Sequence, residues 1–499
     1  MKKWFQNHPE LKILVREYTS QSTIHGVRYL GLLSSVLERI WWTIVVGLAF
    51  CCCAVLLRDV YEKWRRSPVI MAFSEIPMPI WEIPFPAITI CPEAKIRADL
   101  FNFTEAFDHF ARLSVDQTKE LERDKDLLGI LHICDELFHI MPELREKYEQ
   151  LNKSIDFMET MERLLLQKNT SLLSCEMNKD DCYDSFSKSI TDQGICYTYN
   201  GLSQKDMFKD KVLHDEYQYL TETKRIRNWS LQNGYISASS SDVYPIRPDT
   251  AGYGSGLKIR LTVLTSDLDH ICREKQGFRV ILHPPYDFPR TSNNFVYISV
   301  NENVVIGIQP QVVYTESALE TYTLDQKFCY LDSERDLMFF RNYSQSNCEL
   351  ECLTNFTLKL CGCVHFSMPR QSGTRVCQLV DLLCVLRAEK LIQEESLNRL
   401  SNQLDGIETP CDCLPGCISA LSDSEVTRTS LKFHESLIVR YKPFNPAVEH
   451  FDLLQFAYIG IYFKEDQCII TMRNEMFSWM DAITSCGGIL SLCMGANRS

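Results

Sequence analysis

Eighteen consecutive residues, Ile40 to Leu57, contain a single polar side chain, Thr43, and lie between Arg39 and Arg58. At ~1.5 Å per residue the run covers about 27 Å of helix, enough for the hydrocarbon core of a bilayer. It predicts a membrane span, with Trp41 and Trp42 at the end where amphipathic rings settle. A cleaved signal peptide competes with this reading, but 39 residues precede the run, and signal cores are shorter and lie nearer the start. Beyond it, Phe73 to Cys91 is punctuated by Pro and reads as an extended linker entering a strand. Over residues 143–166, Leu144, Tyr148, Leu151, Ile155, Met158, Met161 and Leu165 recur at steps of three and four, the stripe of an amphipathic helix packed on a core. The period then changes. Leu257, Ile259, Leu261 and Val263 alternate with Lys258, Arg260 and Thr262, and further strands are predicted over 277–283, 294–300, 303–308 and 455–463. Helices and strands in separate blocks predict an α+β fold with an antiparallel sheet.

Charge narrows the function. With 52 Lys+Arg against 65 Asp+Glu the net charge is −13, which excludes a basic nucleic-acid binder. Residues 1–39 carry +3 and the remainder −16. An acidic exterior would concentrate cations, although an ordinary solvated surface explains the same figure. Composition that is 45% hydrophobic and 23% charged supports a large core. Gly-x-Ser-x-Gly, His-Glu-x-x-His, the P-loop and Gly-x-Gly-x-x-Gly are all missing, which argues against an enzyme. The 11 His are scattered, so no metal site and no cofactor are expected.

Orientation is contested by two signals. Arg28 and Arg39 precede the span, whereas Arg58, Lys63, Arg65 and Arg66 follow it, which taken alone would put the following side in the cytosol. Six N-glycosylation sequons, at Asn102, Asn152, Asn169, Asn228, Asn342 and Asn355, and 17 Cys from Cys91 to Cys468 also follow it. Long domains translocate largely regardless of flanking charge. The expectation is therefore a span at 40–57 with residues 1–39 cytoplasmic and an extracytoplasmic body after it.

Ten of those Cys fall between Cys329 and Cys417. Zinc competes with disulfides here, but the short spacings are C-x-C and C-x-x-x-C, without the C-x-x-C of a zinc knuckle. Disulfides are preferred, and five of them at about 2–4 kcal/mol each would make the segment much stiffer than its core alone.

Several short motifs then occur in a consistent order. They are His25-Gly26 after Thr19-Ser20, Phe85-Pro86-Ala87-Ile88-Thr89-Ile90-Cys91, Gly194-Ile195-Cys196-Tyr197-Thr198-Tyr199-Asn200, Tyr343-Ser344-Gln345, Cys361-Gly362-Cys363, Met368-Pro369-Arg370 and Cys413-Leu414-Pro415-Gly416-Cys417. Together they resemble the degenerin/epithelial sodium channel family, most closely its insect pickpocket branch, from near the N-terminus to the last residue. The resemblance makes the body after the span a disulfide-rich extracellular domain over 58–478, carried on membrane helices at the plasma membrane, with an antiparallel β palm, a helical finger at about 99–186 and a thumb at about 328–420. It implies the pairings Cys91–Cys196, Cys175–Cys182, Cys329–Cys417, Cys348–Cys413, Cys352–Cys411, Cys361–Cys384 and Cys363–Cys377. Cys134, Cys272 and Cys468 are left over; whether Cys134 pairs with Cys272 stays open, and Cys468 is single.

By the same resemblance the chain is a subunit of a non-voltage-gated, amiloride-sensitive sodium channel, gated through its extracellular domain in a homo- or heterotrimer with related subunits. His25, Gly26 and Thr484 would serve gating, and Gly487, Gly488, Gly495, Ala496 and Asn497 the pore. The chain departs from the family at this point. Residues 479–499 open a second span, but Ala482 to Ala496 covers only about 22 Å of helix, and Asn497 stands where the family has Ser. This leaves a non-conducting assembly partner that lowers current, or a single-span surface binding protein, as alternatives.

Overall fold

A computed structural model of the chain describes residues 9–22, 24, 26–32, 35–66, 69–112, 125–134, 157–210, 212, 226–227, 229–235, 243–291, 294–401, 411–432 and 453–495. The chain divides into two compact units, one of residues 1–72, 315–328 and 472–499, the other of residues 73–314 and 329–471.

In the larger unit, Glu302–Thr315, Leu454–Phe463, Leu257–Leu264, Leu172–Met177 and Asp180–Asp181 are successive neighbours in one sheet, and Ser419–Ser430 also pairs along Glu302–Thr315. Leu257, Ile259, Leu261 and Val263 are all buried, as their alternation predicts. Thr262 is buried too, at 6% exposure. On the same face Lys258 is half-buried and Arg260 exposed, so that face is covered only locally, at Thr262. A further correction concerns strand direction. The sheet is mixed, because Asn303 to Ile308 runs parallel to Tyr458 to Phe463. These strands are separated by the helices and by Ser419–Ser430, and such a long crossover permits the parallel pairing that a hairpin cannot make. Of the helix expected over residues 143–166, the described part is Phe157–Leu164, with Met158 and Met161 buried; residues 143–156 lie outside the described residues.

The second sheet of this unit is antiparallel throughout, in the order Val296–Ser299, Gly277–His283, Ala87–Pro92, Gly194–Tyr199, Phe186–Thr191. A chain of buried polar side chains crosses four of its strands. Ser189 and Thr198 hydroxyls lie 2.5 Å apart, Thr198 and Thr89 2.7 Å, and Thr89 and His283 Nε2 2.9 Å. His283 Nδ1 lies 2.9 Å from the Pro284 carbonyl. Burial lowers the His283 pKa to about 4, so the ring is neutral and links the chain without adding charge. Asn200 ends the Gly194–Tyr199 strand in the left-handed region, φ 60°. Its amide donates to the Phe85 carbonyl at 2.6 Å, and its Oδ1 accepts from Ile246 N at 2.6 Å. An Asn suits this position because it tolerates the left-handed conformation and offers both a donor and an acceptor.

Beside this sheet lies a buried ionic cluster. The Glu93 carboxylate accepts from Arg279 Nε at 2.9 Å, with Arg273 Nε at 3.9 Å and Lys95 Nζ at 4.0 Å. Burial alone would push the Glu93 carboxyl up, yet Lys95, Arg279 and Arg273 together outweigh it and hold the pKa below its ordinary value. Lys95 also donates to the Pro92 carbonyl and Arg273 to that of Ile133, each at 2.7 Å. Removing one member of such a group leaves buried charge uncompensated. Glu93→Gln is therefore expected to destabilise the unit by roughly 3–5 kcal/mol, measured as a lower thermal midpoint of the detergent-solubilised protein.

Candidate functional site

Two regions hold the residues singled out by sequence. The first is the cross-linked segment of the larger unit. Ser344 caps the helix Gln345–Cys361, accepting from Asn347 N, and Gly362 ends it at φ 69°, a left-handed stop suited to Gly. The helix Leu382–Ser401 follows. Cys361–Cys384 joins the end of the first helix to the start of the second, and Cys363–Cys377 closes the loop between them. Cys348 and Cys352, one turn apart, bond to Cys413 and Cys411, and Cys329 bonds to Cys417. The remaining bridges among the described residues are Cys91–Cys196, Cys134–Cys272 and Cys175–Cys182, and Cys468 is a buried free thiol. The one compact group of potential metal ligands among the described residues is Cys363, Cys377 and Asp381. Its two sulfurs are bonded to each other, and Asp381 pairs with Arg375.

The capped end of helix Gln345–Cys361 is clamped to the turn that follows strand Gly277–His283. Asn347 Nδ2 donates to the Tyr286 carbonyl at 3.0 Å, and Asn347 Oδ1 accepts from Phe288 N at 3.0 Å. Arg290 reaches Glu349 at 3.0 Å. Between these contacts lies Asp287, 7% exposed. Burial drives its carboxyl up to about 7 despite a hydrogen bond from the Ser344 side chain; Glu349 adds to the rise and Arg290 opposes it. Sequence reasoning missed this clamp. Asp287 lies in Pro284-Pro285-Tyr286-Asp287-Phe288-Pro289, a run whose extended bias was legible but whose burial was not.

The second region is the smaller unit. Its helix Val36–Arg66 is the one helix among the described residues that is long and apolar enough to cross a membrane. The helix Trp479–Met494 packs antiparallel to it: Trp479, Ala482, Ile483 and Cys486 line a groove of about 290 Å³ with Val60, Tyr61 and Trp64. Ser478 opens the second helix with a capping box to Asp481, and Gly495 ends it at φ 69°. Thr484 donates to the carbonyls of Met480 and Asp481 at 2.9 and 3.1 Å. Thr484, Gly487 and Gly488 are exposed, and with Ser491 and Gly495 they follow steps of three and four along one stripe. Among the described residues, nothing lies within 4 Å of a Cβ added at either Gly487 or Gly488.

Gly26 lies against the first helix. Its φ is +82°, and a Cβ there would sit 2.7 Å from Val46 and 3.2 Å from Trp42. Tyr29 stacks on Trp42 with centroids 4.5 Å apart. The turn therefore lies alongside the apolar run, not ahead of it. His25, Ala496 and Asn497 lie outside the described residues, as do the sequon positions Asn152 and Asn228. Asn102, Asn169 and Asn355 are exposed, and Asn342 is half-buried.

A disulfide-braced, sheet-rich body fits an oxidised, extracellular type of domain, and one helix among the described residues is long and apolar enough to cross a membrane. The family model described as amiloride-sensitive sodium channel matches residues 18–497, and the chain belongs to that family. It is similar to pickpocket protein 28 of Drosophila melanogaster, 28% identical over 97% of this chain and 76% of that one. It also resembles the sodium channel protein Nach of Drosophila melanogaster, 24% identical over 74% of this chain and 66% of that one. Human acid-sensing ion channel 2 is 21% identical over 97% of this chain and 83% of its own length. The members of this family are ion channels, not enzymes.

The clamp has a pH signature. A carboxyl raised from about 3.9 in the unfolded chain binds its proton more tightly when folded, so its contribution is fully present below about pH 4 and is lost as pH rises through its folded value. With Asp287 held at about 7, the thermal midpoint should fall between about pH 4 and about pH 7. Asp287→Asn should flatten that part of the profile, read as midpoint against pH for both proteins.

Proposed function

We propose that the chain is a subunit of an amiloride-sensitive, non-voltage-gated sodium channel at the plasma membrane, assembled as a homo- or heterotrimer with related subunits. In this reading the cross-linked extracellular body receives a stimulus and biases the membrane helices between closed and open packings. The observation that carries it is the pairing of the two chain ends. Helix Trp479–Met494 turns one face to helix Val36–Arg66 and leaves Thr484, Gly487 and Gly488 exposed on another. Small side chains let neighbouring helices approach closely. Three such stripes around an axis would place backbone and hydroxyl oxygens near a permeating ion, which conduction requires. Gly487, Gly488, Gly495, Ala496 and Asn497 would line this path, and Thr484 would set how tightly the helices close. Gly26, through its closeness to Trp42 and Val46, and His25 would act in gating from the cytoplasmic side.

Co-expression with a full-length relative tests the reading. An added amiloride-blocked sodium current supports it. Reduced current would instead assign a non-conducting assembly partner, and unchanged current a surface binding protein. Within a conducting assembly, Gly26→Ala must accommodate both a positive φ and the Val46 contact. A change of about 1–2 kcal/mol corresponds to roughly 5–30-fold in the closed–open balance. Current per surface-labelled channel is expected to fall by a factor in that range.

A further inference from the structure

A cavity of about 370 Å³ lies against helix Gln345–Cys361 in the larger unit. Cys348, Glu351, Cys352, Asn355, Phe356 and Lys359 form one wall. They recur at steps of three and four, so they make up a single helix face. The opposite wall is the segment Cys411 to Cys413, held to that face by Cys348–Cys413 and Cys352–Cys411. Asn355 begins the sequon Asn355-Phe356-Thr357. It is exposed and lies on the cavity-facing stripe itself, so anything attached to its Nδ2 starts at the cavity wall.

We infer that the first sugars of an N-linked glycan on Asn355 occupy this cavity and bridge the helix to the Cys411–Cys413 segment. The lining suits an amphipathic ring. Phe356 and the disulfides offer apolar surface, whereas Arg335 and Lys359 offer donors and Asp412 a carboxylate acceptor for hydroxyl and acetamide groups. The Tyr330 hydroxyl donates to Asp412 and steadies that carboxylate at the wall. Thr357 points the other way, with 0% exposure and a hydroxyl that has no hydrogen-bond partner. A transferase must read that hydroxyl, so the sugar is added before the helix forms and is then folded into place.

The inference rests on the extracellular placement of this unit, and the experiment separates the two. The full chain is expressed in cells that attach N-glycans and solubilised in detergent, and occupancy is read by peptide mass spectrometry. Native protein is then treated with peptide-N-glycosidase over time. The Asn355 glycan is expected to be released at least about tenfold more slowly than those at Asn102 and Asn169, because release waits on local opening. Denaturation should abolish the difference. Asn355→Gln and Thr357→Val should each remove one glycan and lower the thermal midpoint, while Thr357→Ser keeps both. Thr357→Val is informative because it deletes a buried, unsatisfied hydroxyl, which alone is close to neutral or stabilising. Bare Asn355 beside occupied Asn102 or Asn169 overturns the proposal, as does equally fast release from all three. If all three are bare, the extracellular placement itself fails.

Discussion

The cross-linked segment depends on a match between two chain spacings. Four residues along an α-helix advance about 6 Å, and two residues along an extended chain advance about 6.6 Å. Cys348 and Cys352 on the helix therefore meet Cys413 and Cys411 on the returning segment at nearly equal intervals, running in opposite directions. Two bonds at matched spacing stop both sliding and rotation, which a single bond would allow. Cys361–Cys384 and Cys329–Cys417 then hold the neighbouring elements to the same frame.

This frame meets the second sheet through polar contacts that have no covalent backing. Asn347, Ser344 and the Arg290–Glu349 pair grip the turn that carries Asp287. A joint built from hydrogen bonds around a buried carboxyl is easier to shift than one built from sulfur. Its strength also depends on whether that carboxyl holds its proton. The disulfide-bonded part of this helix and its hydrogen-bonded seam are thus adjacent, the seam at the capped start and the bonds along its length.

The smaller unit uses different means. Its two long helices pack through apolar and aromatic side chains, with Trp64 and Trp479 at the same end of the groove. Gly26 is permitted there by its missing Cβ, since any larger residue would meet Val46. Among the described residues, the stripe of Thr484, Gly487 and Gly488 is exposed, with no neighbour within 4 Å of a Cβ added at either glycine.

Local pattern made much of this legible. The long apolar helix containing Ile40–Leu57 and the alternating strand Leu257–Leu264 follow from an unbroken apolar run and from hydrophobic period, which act over neighbouring residues and need no partner. The motifs around Cys91, Cys196 and Cys413 carried the family. Asn200, the Glu93 cluster, the Asp287 clamp and the parallel pairing of Asn303–Ile308 with Tyr458–Phe463 were not legible. Each joins groups tens to hundreds of residues apart. Burial, charge balance and strand direction there are set by whatever the fold brings alongside, and a one-dimensional order of side chains does not contain that information.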